Sequence, residues 1–305
     1  MKKTIITIVV LIIIAAGIYF FVKNKSNDDV VKDDTDTATT TDDTNDTDTA
    51  TTTDDQNAPE SVIGTSVEDR DIKAYHFGTG EKEILFVGGI HGGYEWNTSL
   101  VAFELIDYLK ENPDAVPADL KVTVIPVLNP DGLNKVVGTD GRFEASDVAT
   151  DQKIIVEGRF NGNNVDLNRN FDCDWKASAV WQNKTVSGGT SAFSEPESMA
   201  IRDYVQDNNP VAVIVWYSSA GGVYASSCDG KNVSAETDII TKAFAKASGY
   251  PAHTDFNSYA INGDMTNWLA KEGVPAISVL LTDHTNTEWA KNKKGVEAIL
   301  EFYSK

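Results

Sequence analysis

The chain has 305 residues, of which 46 are Asp or Glu and 26 are Lys or Arg, so its formal net charge is −20. This acidic balance predicts that nucleic acid is not a partner, because phosphates would be repelled, whereas a cationic peptide would be attracted. The length suits one domain with a sizeable core together with shorter terminal segments.

The chain opens with an apolar segment. Residues 4–22 carry no charge. As a helix, with a rise of about 1.5 Å per residue, this segment is long enough to cross a bilayer core of roughly 30 Å. A signal peptide has a shorter apolar region, of about 7–15 residues, and a small-residue cleavage site that is not obvious here. Residues 1–25 are therefore predicted to be a single-pass anchor in the cell membrane, with a cleaved signal peptide as the alternative. Lysines on both sides leave the orientation open, and we expect the following domain on the extracytoplasmic side.

An Asp- and Thr-rich tract follows at residues 26–58. The sequence of Thr35–Asp43 is repeated at Thr47–Asp55. The tract has almost nothing apolar to bury and many like charges, so it cannot offset the entropy of ordering. It is predicted to be a disordered stalk between the anchor and the domain.

Short β-rich runs alternate with helix-period segments in the domain, residues 59–305. The predicted strands are Ile84–Val87, Val122–Val127, Val211–Trp216 and Ala276–Leu281. The predicted helices are Thr98–Leu109, Glu197–Val205, Ala235–Ala247, Met265–Lys271 and Trp289–Tyr303. This alternation predicts an α/β fold with a mixed, largely parallel central sheet and helices on both faces.

A histidine and a carboxylate follow the first predicted strand. Gly88–Trp96 reads GGIHGGYEW and sets His91 and Glu95 side by side. The carboxyl end of a strand is where an open α/β sheet places its chemistry.

Further segments turn this pair into a constellation that resembles the zinc carboxypeptidase (metallocarboxypeptidase) family, of the carboxypeptidase A and T type. The resemblance lies in the ordered set Gly88–Trp96, Pro126–Gly132, Val165–Phe171, Phe193–Glu197 and Tyr259–Asp264. It extends from about Ser61 to Phe302 and implies the zinc carboxypeptidase fold.

The resemblance implies one zinc ion held by His91 and Glu95, with a bound water whose pKa the metal lowers to about 7. The family has two residues between this pair, whereas this chain has three. The glycines absorb the extra residue, or Glu95 turns away from the metal. Asp166 would accept the second ring N–H of His91 and fix its tautomer. Arg159 is the nearest candidate for the arginine that stabilises the developing oxyanion, with Arg142 as the alternative.

The resemblance also assigns residues that would hold a substrate. Asn168 and Arg169 match the clamp for the free carboxylate of the substrate, since a guanidinium grips a carboxylate bidentately. Tyr259 matches the mobile tyrosine that closes over the substrate. Thr266 falls at the position that sets side-chain preference, where a neutral hydroxyl argues against a strongly charged terminal residue.

Two positions of the expected reaction centre depart from the family pattern. The family has His-Ser where Tyr217 and Ser218 stand, so the third zinc ligand is replaced, and Leu280 stands at the position of the catalytic glutamate. Tyr217 would ligate zinc only as a phenolate, which its ordinary pKa of about 10 makes costly, and Ser218 is a poorer ligand still. His284 and Glu288 remain open as replacement bases.

The two cysteines of the chain are Cys173 and Cys228. Outside the membrane they would pair and tie two loops near the site together. Two free thiols are the alternative, because a sequence does not show their separation. His76 and His253 are predicted to be ordinary surface or loop histidines.

These observations predict a membrane-anchored domain that binds the C-terminal ends of peptides, cell-wall stem peptides among them, with hydrolysis lost or weakened. A glutamate base typically contributes about 10²–10⁴-fold to such a reaction. The alternative is an active metallocarboxypeptidase that releases C-terminal residues by means of zinc-activated water, with its ligand and base replaced. A surface scaffold with no retained ligand is the third interpretation.

Overall fold

The computed structural model describes residues 59–228, 230 and 232–305. The predicted anchor at residues 1–25 and the predicted stalk at 26–58 lie outside these residues. Within the described part of the chain, the helices are too short or too polar to cross a membrane.

A large sheet with strand order β1-β2-β4-β3-β7-β10-β8-β9 forms the centre of the domain, and β5 and β6 pair as a separate hairpin. The strands are β1 (Glu60–Thr65), β2 (Asp71–Phe77), β3 (Lys82–Val87), β4 (Leu120–Ile125), β5 (Ser178–Trp181), β6 (Lys184–Ser187), β7 (Ala212–Ser218), β8 (Gly222–Ala225), β9 (Ala252–His253) and β10 (Ala276–Leu281). The four central strands β4, β3, β7 and β10 run parallel. Strand β8 pairs with β9 in parallel, while β1, β2 and β8 add antiparallel pairings. The predicted mixed, largely parallel sheet is confirmed.

Helices connect these strands. They are α1 (Trp96–Glu111), α2 (Pro130–Val137), α3 (Gln152–Glu157), α4 (Pro196–Asn208), α5 (Ala235–Ser248), α6 (Met265–Lys271) and α7 (Trp289–Tyr303). The five predicted helices correspond to α1, α4, α5, α6 and α7, and the last two have the predicted bounds. Strands β1 and β2 and helices α2 and α3 were not predicted, because their short or mixed sequences lack a clear apolar period.

The two faces of the sheet pack against different helices. Along β3, Ile84 and Phe86 join the core formed with α1, α5 and α7. Leu85 and Val87 point the other way, into the core formed with α4 and α6. Because strand side chains alternate between faces, a continuous apolar run such as this one is buried on both sides.

The two histidines predicted for surface or loop positions are partly exposed, and both lie in strands rather than in loops. His76 is on β2, half-buried, and hydrogen-bonded to Ser61 and Thr123. His253 is on β9 and stacks on Tyr224, with ring centroids 4.5 Å apart. Both were missed because each strand is too short or too exposed to signal itself in the sequence.

The parallel register brings the ends of three strands together. Val87 pairs with Val215 across β3 and β7, and Leu280 pairs with Tyr217 across β7 and β10. His91 follows β3 after a short turn. The carboxyl ends of β3, β7 and β10 therefore meet at one edge of the sheet.

Candidate active site

A pocket of about 530 Å³ opens at this edge of the sheet. The structure brings most of the predicted site residues to its lining: His91, Glu95, Arg159, Asn168, Arg169, Cys173, Tyr217, Ser218, Cys228, Tyr259, Thr266 and Leu280. Asp166 is fully buried behind the wall of the pocket. A volume of this size falls within the range of about 300–1,000 Å³ that small-molecule sites occupy.

His91 and Glu95 face each other despite the extra residue between them. A 3₁₀ turn at Gly92–Glu95 leads into α1, and Gly92 has φ of +46°. A Cβ on Gly92 would come within 2.5 Å of the Gly158 carbonyl oxygen, so only glycine fits this tight turn. As a result, His91 Nδ1 lies 3.0 Å from Glu95 Oε2. The glycines absorb the insertion.

The ring nitrogens of His91 are buried and have no hydrogen-bond partner among the described residues. Burial, together with the positive charge of Arg159, lowers the pKa of His91 well below its ordinary value. Burial also raises the pKa of Glu95 to about 7. Glu95 Oε2 accepts a hydrogen bond of 2.9 Å from the backbone N–H of Ser218. The histidine is therefore neutral. Its one ring N–H and the lone pair on its other ring nitrogen are both left unsatisfied by the described residues beside Glu95.

Asp166 and Arg159 form a buried ion pair behind His91. Arg159 Nε donates to Asp166 Oδ2 at 2.8 Å, and Asp166 Oδ1 is 3.6 Å from His91 Nε2. Burial acts to raise the pKa of Asp166, but the charges of Arg159 and Arg169 outweigh it and hold that pKa below its ordinary value. The guanidinium of Arg159 also lies 4.4 Å from the ring centroid of Trp181. Asp166 is thus a buried carboxylate that positions Arg159 by a hydrogen bond and lies near His91 without bonding to it.

The two arginine candidates occupy different places. Arg159 lines the pocket, is 1% exposed, and has Nη1 3.8 Å from Glu95 Oε1. Arg142 instead pairs with Asp107 on the exposed surface through bonds of 2.8 and 2.6 Å. Of the two, only Arg159 is placed where it would meet a ligand in the pocket.

The donor set does not fit a catalytic zinc ion. Such a site needs three protein ligands, and the described residues hold no group of three or more His, Cys, Asp and Glu side chains that would bind a metal. Tyr217 stands 5.6 Å from His91, between ring centroids, and burial, with the charge of Asp264, raises its pKa well above the ordinary value. It is therefore a phenol rather than a phenolate ligand. Ser218 is committed as well, since its hydroxyl donates to Asn97 Oδ1 at 2.9 Å.

The position expected for a general base is apolar. Leu280 is 8% exposed and belongs to the core under the pocket, next to Tyr217 in the sheet register. Of the two replacement bases left open, His284 lines the pocket and lies 3.3 Å from the hydroxyl of Ser219. Glu288 is held outside by hydrogen bonds from Thr282 and Tyr250. The structure therefore favours His284 over Glu288 by position.

Arg169 presents part of its guanidinium to the pocket. Nη1 donates to the carbonyl of Asn168 at 2.6 Å, and Nε donates to the carbonyl of Val180 at 3.1 Å. The side chain is 1% exposed, so solvent screens its charge little. A guanidinium has five N–H groups, and the three that remain among these described contacts are left for a ligand.

Asn168 is engaged by an acidic neighbour that the sequence did not single out. Its Nδ2 donates to Asp264 Oδ2 at 2.8 Å, and its Oδ1 accepts from Met265 N at 3.0 Å and from the Tyr217 hydroxyl at 3.4 Å. Asp264 also caps α6, where it accepts from Asn267 N. In the sequence it closes the Tyr259–Asp264 segment and precedes a predicted helix, a place that predicts a cap and not a pocket carboxylate.

Tyr259 and Thr266 complete the binding side of the pocket. The ring centroid of Tyr259 lies 6.0 Å from the guanidinium carbon of Arg169. Thr266 is buried at the floor, where its hydroxyl donates to Asp264 Oδ1 at 2.8 Å and shares a hydrogen bond of 3.0 Å with Ser278. The floor is therefore polar, and its donors are mutually satisfied.

Cys173 and Cys228 form a disulfide in the structure, with Cα atoms 5.5 Å apart. Both residues line the pocket. The bond ties the loop after the Leu167–Arg169 turn to the loop after β8. It holds two walls of the pocket in place.

Comparison with known proteins identifies relatives of this chain. A sequence profile of the zinc carboxypeptidase family matches residues 47–302. The chain is 26% identical over 250 residues to gamma-D-glutamyl-L-diamino acid endopeptidase 1 of Lysinibacillus sphaericus, across 73% of this chain and 60% of that protein. It is 28% identical over 241 residues to carboxypeptidase B of Helicoverpa zea, across 72% and 54% respectively. The chain thus spans little more than half the length of these curated relatives.

Solved structures share the fold. Murein-tripeptide amidase of Escherichia coli O157 aligns with a TM-score of 0.56 and 19% identity, across 79% of this chain and 90% of that one. Bovine thrombin-activatable fibrinolysis inhibitor aligns with a TM-score of 0.61 and 18% identity, across 80% and 88%. At these identities the likeness establishes the fold alone.

Proposed function

Because the chain belongs to the zinc carboxypeptidase family, we propose that its pocket binds the carboxyl-terminal ends of peptides without hydrolysing them. The observation that carries this proposal is the pair Tyr217 and Leu280. They are direct neighbours on β7 and β10, and they put a phenol and an alkyl group where the family places a zinc ligand and a base. Both functions of the reaction centre are replaced, while the pocket beside it keeps its charges.

The retained arginines support binding. Arg169 and Arg159 are each 1% exposed and line the same pocket. A carboxylate that enters the pocket would therefore meet two cations that water screens little, and a guanidinium binds a carboxylate through two parallel hydrogen bonds. Tyr259, beside Arg169, supplies a ring that would cover the bound end of the peptide.

Tyr217 supports the loss of hydrolysis by its position as well as its chemistry. Its hydroxyl reaches Asn168 Oδ1 while its ring lies beside His91. The side chain thus spans the gap between the expected metal position and the expected carboxylate clamp. Hydrolysis would need a polarising group and a base around that gap, and at the two positions where the family places them this chain has a phenol and an alkyl group.

Cell-wall stem peptides are the ligand class that we propose. Two similar proteins carry names that refer to such bonds, the gamma-D-glutamyl-L-diamino acid endopeptidase and the murein-tripeptide amidase. An anchor at residues 1–25 would hold the domain at the cell envelope, on the extracytoplasmic side, where these peptides occur. A short peptide also matches the pocket volume of about 530 Å³.

Calorimetry with a matched pair of peptides tests the proposal. The full-length protein is titrated with a tripeptide that ends in a free carboxylate and with the same tripeptide as its C-terminal amide, and each peptide is then recovered and weighed by mass spectrometry. We expect binding of the acid at least tenfold tighter than that of the amide, and recovery of the intact peptide. Equal binding of both forms would refute carboxylate recognition. Recovery of a dipeptide, absent with a Glu95→Gln variant, would instead support the active metallocarboxypeptidase.

A further inference from the structure

A row of polar side chains crosses four strands of the sheet, away from the pocket described above. Ser61 on β1 has its Oγ 2.8 Å from His76 Nε2 on β2. His76 Nδ1 lies 2.9 Å from Thr123 Oγ1 on β4, and Thr123 Oγ1 donates to Glu83 Oε1 on β3 at 2.5 Å. The row shares no residue with the peptide pocket.

The hydrogen bonds of this row run in one direction. Glu83 is 4% exposed and, as a carboxylate, only accepts, so the single hydroxyl hydrogen of Thr123 is directed to it. Thr123 Oγ1, which also lies 3.1 Å from the Tyr204 hydroxyl, then accepts from His76 Nδ1–H. In the neutral imidazole this leaves Nε2 as an acceptor, and the hydroxyl of Ser61 donates to it. These contacts place the ring proton of His76 on Nδ1 and leave Nε2 able to take the proton of Ser61, which is the tautomer that activates a serine.

The acidic end of the row is held firmly. The Tyr204 hydroxyl donates to Glu83 Oε1 at 2.5 Å, and Lys121 Nζ lies 3.4 Å from Glu83 Oε2. The ring of Tyr204 also stacks on His76, with centroids 6.5 Å apart. Glu83 is therefore placed to stabilise a positive charge on His76 through Thr123.

The other end of the row is open. Ser61 is partly exposed, and together with His76 it lines a cleft of about 120 Å³. Strand β1 is at the edge of the sheet, and its register shifts between Val62 and Gly64, so that Ile63 has no partner on β2. Such bulges are frequent beside functional sites, where they re-aim a side chain. A small molecule in the cleft would reach the hydroxyl of Ser61.

We propose that Ser61 is a nucleophile for acyl transfer from small esters, with His76 as its general base and Thr123 and Glu83 as positioning residues. Ser61 Oγ forms a bond to the ester carbonyl carbon while its proton passes to His76 Nε2. The proton then goes to the departing alcohol oxygen as the old C–O bond breaks. Water attacks the acyl-serine and gives its proton to His76, which returns it to Ser61 Oγ as the acid leaves. The sum is one ester and one water to one acid and one alcohol.

The cleft selects the substrate class. Its volume is far below the range of about 300–1,000 Å³ for drug-sized ligands, which limits the acyl group to a few carbons. Asp203 and Asp207, from α4, also line it, together with Lys121. Because Lys121 is paired with Glu83 at 3.4 Å, the two aspartates leave the lining with a net negative charge that disfavours an anionic ester. The substrate is therefore a short-chain ester that is neutral or cationic.

The test uses the full-length protein with p-nitrophenyl acetate and with a fluorophosphonate probe, followed by peptide mapping. We expect the probe on Ser61, and a loss of at least tenfold in ester hydrolysis in both Ser61→Ala and His76→Gln. Thr123→Val, which keeps the shape but removes the hydroxyl, should lose activity in part. Ser178→Ala, an exposed serine on β5, is the control and should match the wild type.

Circular dichroism and the thermal midpoint report folding in each variant without reference to the peptide pocket, which keeps the two proposals separate. A folded Ser61→Ala protein that still hydrolyses the ester at the wild-type rate would overturn the inference. So would a probe attached to any serine other than Ser61.

Discussion

Replacement of Arg169 by glutamine tests the proposed carboxylate recognition. The guanidinium is 1% exposed, and each hydrogen bond between charged groups is worth about 1.5–3 kcal/mol. Arginine would make two such bonds to the carboxylate of the peptide, whereas glutamine would keep one weaker bond from its neutral amide. The difference is a loss of about 3 kcal/mol in binding free energy, which is roughly a 150-fold rise in Kd. Calorimetry with the free-acid tripeptide measures this loss directly.

Two further variants make the Arg169 result interpretable. Arg169→Lys keeps the charge but loses the planar fork, so its Kd should fall between those of wild type and Arg169→Gln. Arg142→Gln removes an exposed arginine that pairs with Asp107 outside the pocket and should leave the Kd unchanged. A folded Arg169→Gln protein whose Kd stays within threefold of wild type would refute the reasoning.

Three other variants have expected outcomes. Asp264→Asn keeps a helix cap but removes a negative charge from the pocket, so calorimetry should show the peptide acid bound several-fold more tightly; weaker binding would show that the charge helps. Asp166→Asn leaves the guanidinium of Arg159 buried without its closest carboxylate. Urea unfolding should therefore show a free energy of unfolding lower by about 3 kcal/mol. A decrease below about 1 kcal/mol would contradict the ion-pair account. Cys173→Ser with Cys228→Ser opens a crosslink between positions 55 residues apart, so stability should fall by about 4 kcal/mol on the chain-entropy relation, and an unchanged thermal midpoint would argue against a structural role.

Much of the fold was predictable because the central strands are apolar on both faces. Ile84–Val87 and Ala276–Leu281 are short apolar runs whose length and flanking residues favour buried strands over helices. The edge strand β1 carries an exposed valine, Val62, and a register shift, so it lacks an alternating pattern. The hairpin of β5 and β6 escaped notice for a similar reason, and with it Trp181, which stacks on Arg159.

The residues that line the site were predictable from the sequence, but most of the contacts between them were not. The positions of His91, Arg159 and Arg169 around one pocket follow from the rule that open sheets collect chemistry at the strand ends. The contact between Asn168 and Asp264 joins residues 96 positions apart, and no local pattern encodes it. The orientation of Glu95 likewise depended on the backbone conformation of Gly92, which only the structure defines.

The zinc content of the full-length protein tests the central claim most directly. The protein is loaded with zinc, dialysed exhaustively, and measured by mass spectrometry beside a His91→Ala variant. Since the described residues hold no group of three or more His, Cys, Asp and Glu side chains placed to bind a metal, the account predicts well under one zinc per chain in both proteins. One zinc per chain in the wild type that is lost in His91→Ala would contradict it, because a third ligand would then have replaced the histidine missing at Tyr217.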